Sequence, residues 1–216
     1  MNRNSLERAI ALDGIQAVIF DVDGTLYSLK KMRFLMALDL FVFFIFRPWQ
    51  WNDLVVLYFF RKNKAALARK SSGDISVTQY ELRVWGRRPD PKYVERLVKE
   101  WIFDRPLRYV RVCMYANVAR WIRALSKRGI KIAYFSDYPP LEKVKTLKLP
   151  GNYFVASSDR EVDALKPSPR GLLEIVSRMG VPIEQCVFVG DALEKDGVAA
   201  ERIGMRFLLL RNGLIG

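Results

Sequence analysis

The sequence contains no histidine. That absence removes Ser-His-Asp and Cys-His catalysis, His-ligated zinc and histidine general bases together. Cysteine is almost missing as well. Cys113 and Cys186 are the only two, both within apolar stretches. Two thiols cannot build a cysteine zinc site, and a reduced, cytoplasmic compartment is the expectation. The N-terminal stretch MNRNSLERAIALDG lacks a long apolar region and a small-residue cleavage site, which argues against secretion. Internal repeats and low-complexity tracts are absent, and a chain half apolar and 27% charged is no disordered polymer.

What is there divides in two. The 216 residues suit one ordinary domain, or a core of about 130 residues carrying a large insertion. Residues 28–112 hold 18 Lys/Arg against 8 Asp/Glu, a net of +10, while the rest holds 18 against 15 and nets only +3. The basic excess therefore belongs to one internal segment. Nucleic acid, anionic lipid headgroups and phosphorylated small molecules all fit such a balance.

Outside that segment, strands and helices alternate. Ile15–Phe20, Ile130–Phe135, Cys186–Val189 and Arg206–Leu210 read as short buried strands. Tyr109–Arg128 reads as one amphipathic helix stopped by Gly129, Ser168–Met179 as a helix opened by Pro169, and Glu194–Ile203 as a third. The pattern predicts an α/β fold with a Rossmann-like parallel sheet and right-handed crossovers. The basic segment reads as mainly helical. Met32–Phe46 and Asp53–Arg69 are interrupted by Arg47-Pro48; Thr78-Gln79-Tyr80-Glu81 forms a capping box; Asp90-Pro91 opens a helix to about Phe103; and Ser71–Asp74 is a flexible joint.

Three of the strands run into polar residues foreign to a core. Ile15–Phe20 leads to Asp21-Val22-Asp23-Gly24-Thr25, Ile130–Phe135 to Ser136-Asp137, and Cys186–Val189 to Gly190-Asp191, with Asp196 shortly after. Strand C-terminal ends in a parallel sheet face one crevice, so these groups should converge. Lys166 precedes Pro167-Ser168-Pro169 at the mouth of a helix, where a cation and backbone amides would face an anion. Clustered carboxylates repel one another unless a cation separates them, and oxygen-only ligands favour Mg²⁺. An aspartate can attack phosphorus, a second carboxylate can carry the proton, and Ser136 with Lys166 can hold the transferring group.

These residues, in this order at strand ends, resemble the four motifs of the haloacid dehalogenase superfamily: Asp21-Val22-Asp23-Gly24-Thr25-Leu26, Ser136, Lys166, and Gly190-Asp191 through Asp196. The resemblance covers residues 14–27 and 110–212, not the basic segment. It implies Asp21 as nucleophile and Mg²⁺ ligand, with Asp23 as general acid/base binding the metal through its backbone carbonyl. It further implies Ser136 and Lys166 as phosphoryl-binding residues, joined by Gly24 and Thr25, and Asp191 as a metal ligand. Asp196 is a ligand or the partner of one. An acid at position 23 points to a phosphatase, because the superfamily's dehalogenases lack it and its ion pumps carry Thr. Asp137 departs from the family, which more often has Asn or Gly there, and either repels the substrate phosphate or faces away.

The division expected is a catalytic core of residues 1–27 and 110–216 with a helical cap of 28–109, hinged near Tyr27–Lys30 and Arg105–Arg108. The implied activity is Mg²⁺-dependent hydrolysis of a small phosphorylated substrate, hydrophobic or membrane-associated, through an aspartyl-phosphate. Phosphomutase activity is the enzymatic alternative, and a catalytically silent membrane- or nucleic-acid-binding protein is the non-enzymatic one. Within the cap, Phe34–Phe46 is apolar all round except Asp39, and thirteen helical residues span only about 20 Å of a roughly 30 Å hydrocarbon core. Such a helix is expected to be buried against its neighbours or a second subunit. With Trp49, Trp51 and the flanking Lys30, Lys31, Arg33, Arg47, Arg61, Lys62 and Lys64, it also suits the surface of an anionic membrane, which would make the protein peripheral there. Arg87-Arg88 could meet a distal anionic group of substrate. Nucleic acid fits least, because most aromatics lie in continuous apolar runs rather than among the basic residues.

Overall fold

The computed structural model describes residues 14–70 and 91–215. Ser71–Asp74, the Thr78–Glu81 box, Arg87-Arg88 and Asp90 lie outside them. Six strands form one sheet in the order β3-β2-β1-β4-β5-β6: β1 Ala17–Phe20, β2 Lys131–Ser136, β3 Tyr153–Ala156, β4 Cys186–Gly190, β5 Arg206–Arg211 and β6 Leu214–Ile215. The first five in that order are parallel; β6 closes the edge antiparallel to β5. The expected Rossmann-like α/β sheet is present.

The strands are apolar on both faces because helices cover both. In β1, Val18 and Phe20 point to one side while Ala17 and Ile19 point to the other. Ile132 and Tyr134 of β2 and Val187 and Val189 of β4 join the first side; Ala133, Phe135, Cys186 and Phe188 join the second. Helix Ala116–Lys127 lays Val118, Trp121, Ile122 and Leu125 on the first side, where Trp121 meets Phe20 edge-on at 5.3 Å between centroids. Helix Arg170–Met179 covers the second with Leu172, Ile175 and Met179 and ends at Gly180 in the left-handed conformation.

Several elements differ from expectation. β3 carries none of the sequence signal: four residues, two of them only half-buried, are too short to show a period. The single helix expected over Tyr109–Arg128 is two, Arg105–Cys113 and Ala116–Lys127, because the chain is extended at Met114 and Tyr115. At that break Met114 bridges antiparallel to Tyr27, Ser28 N–H donates to Cys113 C=O at 2.9 Å, and Tyr115 N–H donates to Leu26 C=O at 2.9 Å. The outgoing and returning chains are thus laced together at 26–28 and 113–115. The hinge expected at Arg105–Arg108 and the boundary at 109/110 both fall inside a regular helix.

Between those crossings lie helix Leu29–Ile45, capped by Ser28 Oγ, a 3₁₀ turn at Pro48–Gln50, and helices Trp51–Lys70, Pro91–Val98 and Arg105–Cys113. The last two are joined by a π-helical stretch, Lys99–Asp104. Asp39, the one acid of the apolar helix, pairs with Arg105 at 3.3 Å, whose guanidinium lies 3.8 Å from the centre of the Trp101 ring. Within this chain helix Leu29–Ile45 is buried on one side: Met32, Met36 and Phe44 are buried, while Phe34, Leu38, Phe41, Val42 and Ile45 are exposed.

Candidate active site

β1 is the switch point of the sheet, since the chain builds β2 and β3 on one side of it and then returns to β4 on the other. Ligands bind at the C-terminal ends of strands at such a point. Asp21 leaves β1 with its N–H donating to Val189 C=O at 2.8 Å, which locks it beside Gly190-Asp191 at the end of β4. Ser136 ends β2. Lys166 enters from the loop after β3, and Asp196 from a π-helical turn, Leu193–Gly197, that stands where Glu194–Ile203 was expected to be regular helix. The structure brings Asp21, Asp23, Ser136, Lys166, Asp191 and Asp196 to one cleft of about 610 Å³.

At its floor four charges are packed without water-sized separation. Lys166 Nζ donates to Asp21 Oδ1 at 2.5 Å and to Asp196 Oδ1 at 2.7 Å, and Asp21 and Lys166 are only 4% and 3% exposed. Thr25 Oγ1 donates to Asp21 Oδ2 at 2.9 Å. Carboxylate oxygens of Asp21, Asp191 and Asp196 lie within 4.8 Å of one another. One cation thus faces three carboxylates. Burial, opposed by Lys166 but reinforced by Asp196, pushes Asp21 up to about 8. Burial and Asp196 likewise push Asp191 up to about 6. Lys166 moves upward despite its burial, because the aspartates around it favour its charged form.

Two glycines make the close packing possible. A Cβ on Gly24, whose φ is +103°, would stand 2.2 Å from Asp191 Oδ2; one on Gly190 would stand 2.4 Å from Asp196 Oδ2. Gly24 is therefore the floor on which Asp191 rests, and Thr25 orients Asp21.

Asp23 stands apart. Lys143 Nζ donates to both its oxygens, at 2.6 and 2.8 Å; Tyr27 Oη donates to Oδ1, and Ser136 Oγ to Oδ2 at 3.3 Å. Burial raises its proton affinity, but Lys143 and the hydrogen bonds outweigh it and hold Asp23 below its ordinary value. Sequence reasoning passed over Lys143. On helix Leu141–Leu147 it lies one turn before the buried Leu147, hence on an inward face that only the structure reveals. Asp137 lines the same cleft, accepting from Ser157 Oγ at 2.9 Å and from Lys166 N–H at 3.3 Å, with Lys195 Nζ 3.7 Å from its other oxygen.

A family model for haloacid dehalogenase-like hydrolases matches residues 15–204. The chain belongs to that family. It is 30% identical over 203 residues to a glyceraldehyde 3-phosphate phosphatase of Methanopyrus kandleri, covering 92% of this chain and 85% of that one. To a phosphoglycolate phosphatase of Shigella boydii it is 26% identical, covering 89% and 79%. The crystal structure of a 2-haloacid dehalogenase from Pseudomonas syringae shares the fold, with a TM-score of 0.61 over 90% of this chain and 86% of that one at 20% identity. The superfamily and its phosphatase class, both expected from the motifs, are what these matches give.

Proposed function

We propose that the protein hydrolyses phosphomonoesters through an aspartyl-phosphate formed on Asp21. The observation that carries this reading is the buried cluster at the strand ends, in which Lys166 bridges Asp21 and Asp196 with Asp191 beside them. Asp21 attacks phosphorus in line; the Asp21 oxygen–phosphorus bond forms as the bond to the leaving oxygen breaks, and Asp23 gives that oxygen a proton. Water then attacks the same phosphorus, Asp23 takes its proton, and Asp21 is regenerated as phosphate leaves. Ser136 and Lys166 hold the phosphoryl oxygens.

The donor set fits Mg²⁺: three carboxylates, no nitrogen or sulfur ligand, and a charge excess that one lysine does not balance. Asp21, Asp191, Asp196 and the Asp23 carbonyl would hold it. Bound there, the ion would supply positive charge to the phosphoryl oxygens.

Beyond the chemistry, the cleft speaks to size and character. Its wall on the helical side carries Arg33 and Arg61 beside Met32, Met36 and Ile102. That mixture suits a phosphate on a small or partly apolar group. The test is phosphate release from a panel that includes phosphoglycolate, glyceraldehyde 3-phosphate and isoprenoid phosphates, with Mg²⁺ and with chelator. Metal-dependent release is the expected result; none from any member by folded protein would overturn the proposal.

A further inference from the structure

The helices above the cleft carry more exposed apolar surface than a free soluble face accounts for. On Leu29–Ile45, Phe34, Leu38, Phe41, Val42 and Ile45 recur at i, i+4, i+7, i+8 and i+11, which places them in one stripe about 100° wide. Trp51, Val55, Tyr58, Phe59 and Lys62 repeat the same spacing on the next helix. Between the helices stand Phe46, 76% exposed, and Trp49, 73% exposed; Phe34 and Phe41 are 70% and 65% exposed.

The charges around these side chains are of one sign. Every exposed charged residue described from Leu29 to Lys62 is a cation: Lys30, Lys31, Arg33, Arg47, Arg61 and Lys62. The two acids of the same stretch are withdrawn, Asp39 into its pair with Arg105 and Asp53, buried, under the hydroxyl of Tyr93. A second copy docking by a two-fold axis would bring the same six cations face to face with no exposed acid on these helices to meet them. An acidic protein would satisfy the cations but would also have to cover Phe34, Phe41, Phe46, Trp49, Trp51, Tyr58 and Phe59. An anionic lipid bilayer satisfies both at once: headgroup charge for the lysines and arginines, an acyl boundary for Phe and Leu, and the interfacial zone for Trp49, Trp51 and Tyr58.

We infer that this face docks the protein on anionic membrane surfaces. No helix among the described residues is long and apolar enough to cross a bilayer, so the contact lies in the interface. Arg33 and Arg61 belong both to this cationic rim and to the wall of the cleft. Docking does not depend on turnover.

The experiment is co-flotation of the full chain with phosphatidylcholine vesicles, with and without phosphatidylglycerol. The parent protein is expected to float only with the anionic vesicles, and less as salt is raised. Phe41→Ser/Trp49→Ser should lower the bound fraction about tenfold or more. Arg47→Gln/Lys62→Gln should do so without touching an apolar side chain, and melting midpoints confirm that each variant is folded. Asp21→Asn should float like the parent, so failure of the hydrolase reading would leave this result standing. Absence of the parent from anionic vesicles would overturn the inference, as would equal binding by parent and both variants. A dimer that Phe41→Ser/Trp49→Ser dissociates, with no vesicle binding, would assign the face to a second copy instead.

Discussion

Asp23 receives hydrogen bonds from Lys143, Tyr27 and Ser136, and so rests in its charged form while Asp21, a few ångströms along the chain, is held the other way by burial and Asp196. Without a metal cation the two affinities run opposite to the proposed roles, which need Asp21 charged and Asp23 able to carry a proton. A cation among Asp21, Asp191 and Asp196 would favour the Asp21 carboxylate, and Asp23 must win its proton against Lys143. A carboxyl below its ordinary 3.8 stabilises the fold above that pH and loses the contribution as the pH falls through its own value. Removing Lys143 leaves burial to dominate, so Lys143→Met should raise Asp23's proton affinity. The acid limb of the kcat profile should then move to higher pH, and stability should drop by about 3 kcal/mol. Rate-against-pH curves and urea melts check this; an unmoved limb would show that Lys143 does not govern Asp23. The motif aspartates, Ser136 and Lys166 were legible because each follows a strand or opens a helix. Lys143 was not, because a lysine on a seven-residue helix reads as a surface charge until the helix's inward face is known.

At the level of elements, the sequence was clearest where runs were long and buried. β1, β2, β4 and β5 start or end within two residues of expectation, whereas β3 lay hidden at four residues. The β5–β6 hairpin was equally quiet, although Asn212-Gly213, both at positive φ, forms its turn. The long helix expected over Tyr109–Arg128 failed for a reason outside local propensity. Its apolar period continues through Met114, and only pairing with Tyr27 pulls the backbone into an extended bridge. The loop after β1 carries its own requirement. Gly24→Ala would put a methyl at positive φ into the Asp191 carboxylate, costing about 1 kcal/mol or more in strain and displacing one wall of the carboxylate cluster. Calorimetric titration with Mg²⁺ should show weakened binding by a protein that still melts cooperatively. Parent-like affinity would mean that the carboxylates tolerate the shift.

For the whole molecule, a sheet with helices on both faces fixes the catalytic groups, and a helical, cationic layer laced to it at 26–28 and 113–115 stands over them. The charge asymmetry visible in the sequence maps onto that division, and so does the difference in surface: a core with ordinary faces, and helices that expose aromatics. The proposed function assigns chemistry to the core and recognition to the helical layer. Its central claim is that Asp21 is the nucleophile, and the most direct measurement is phosphate release by the parent and by Asp21→Asn on the best substrate of the panel, with Mg²⁺ present. The substitution keeps the shape of the side chain and removes the nucleophilic carboxylate, so the account predicts a loss of about a thousandfold or more with an intact fold. Turnover by Asp21→Asn at the parent's rate would contradict it.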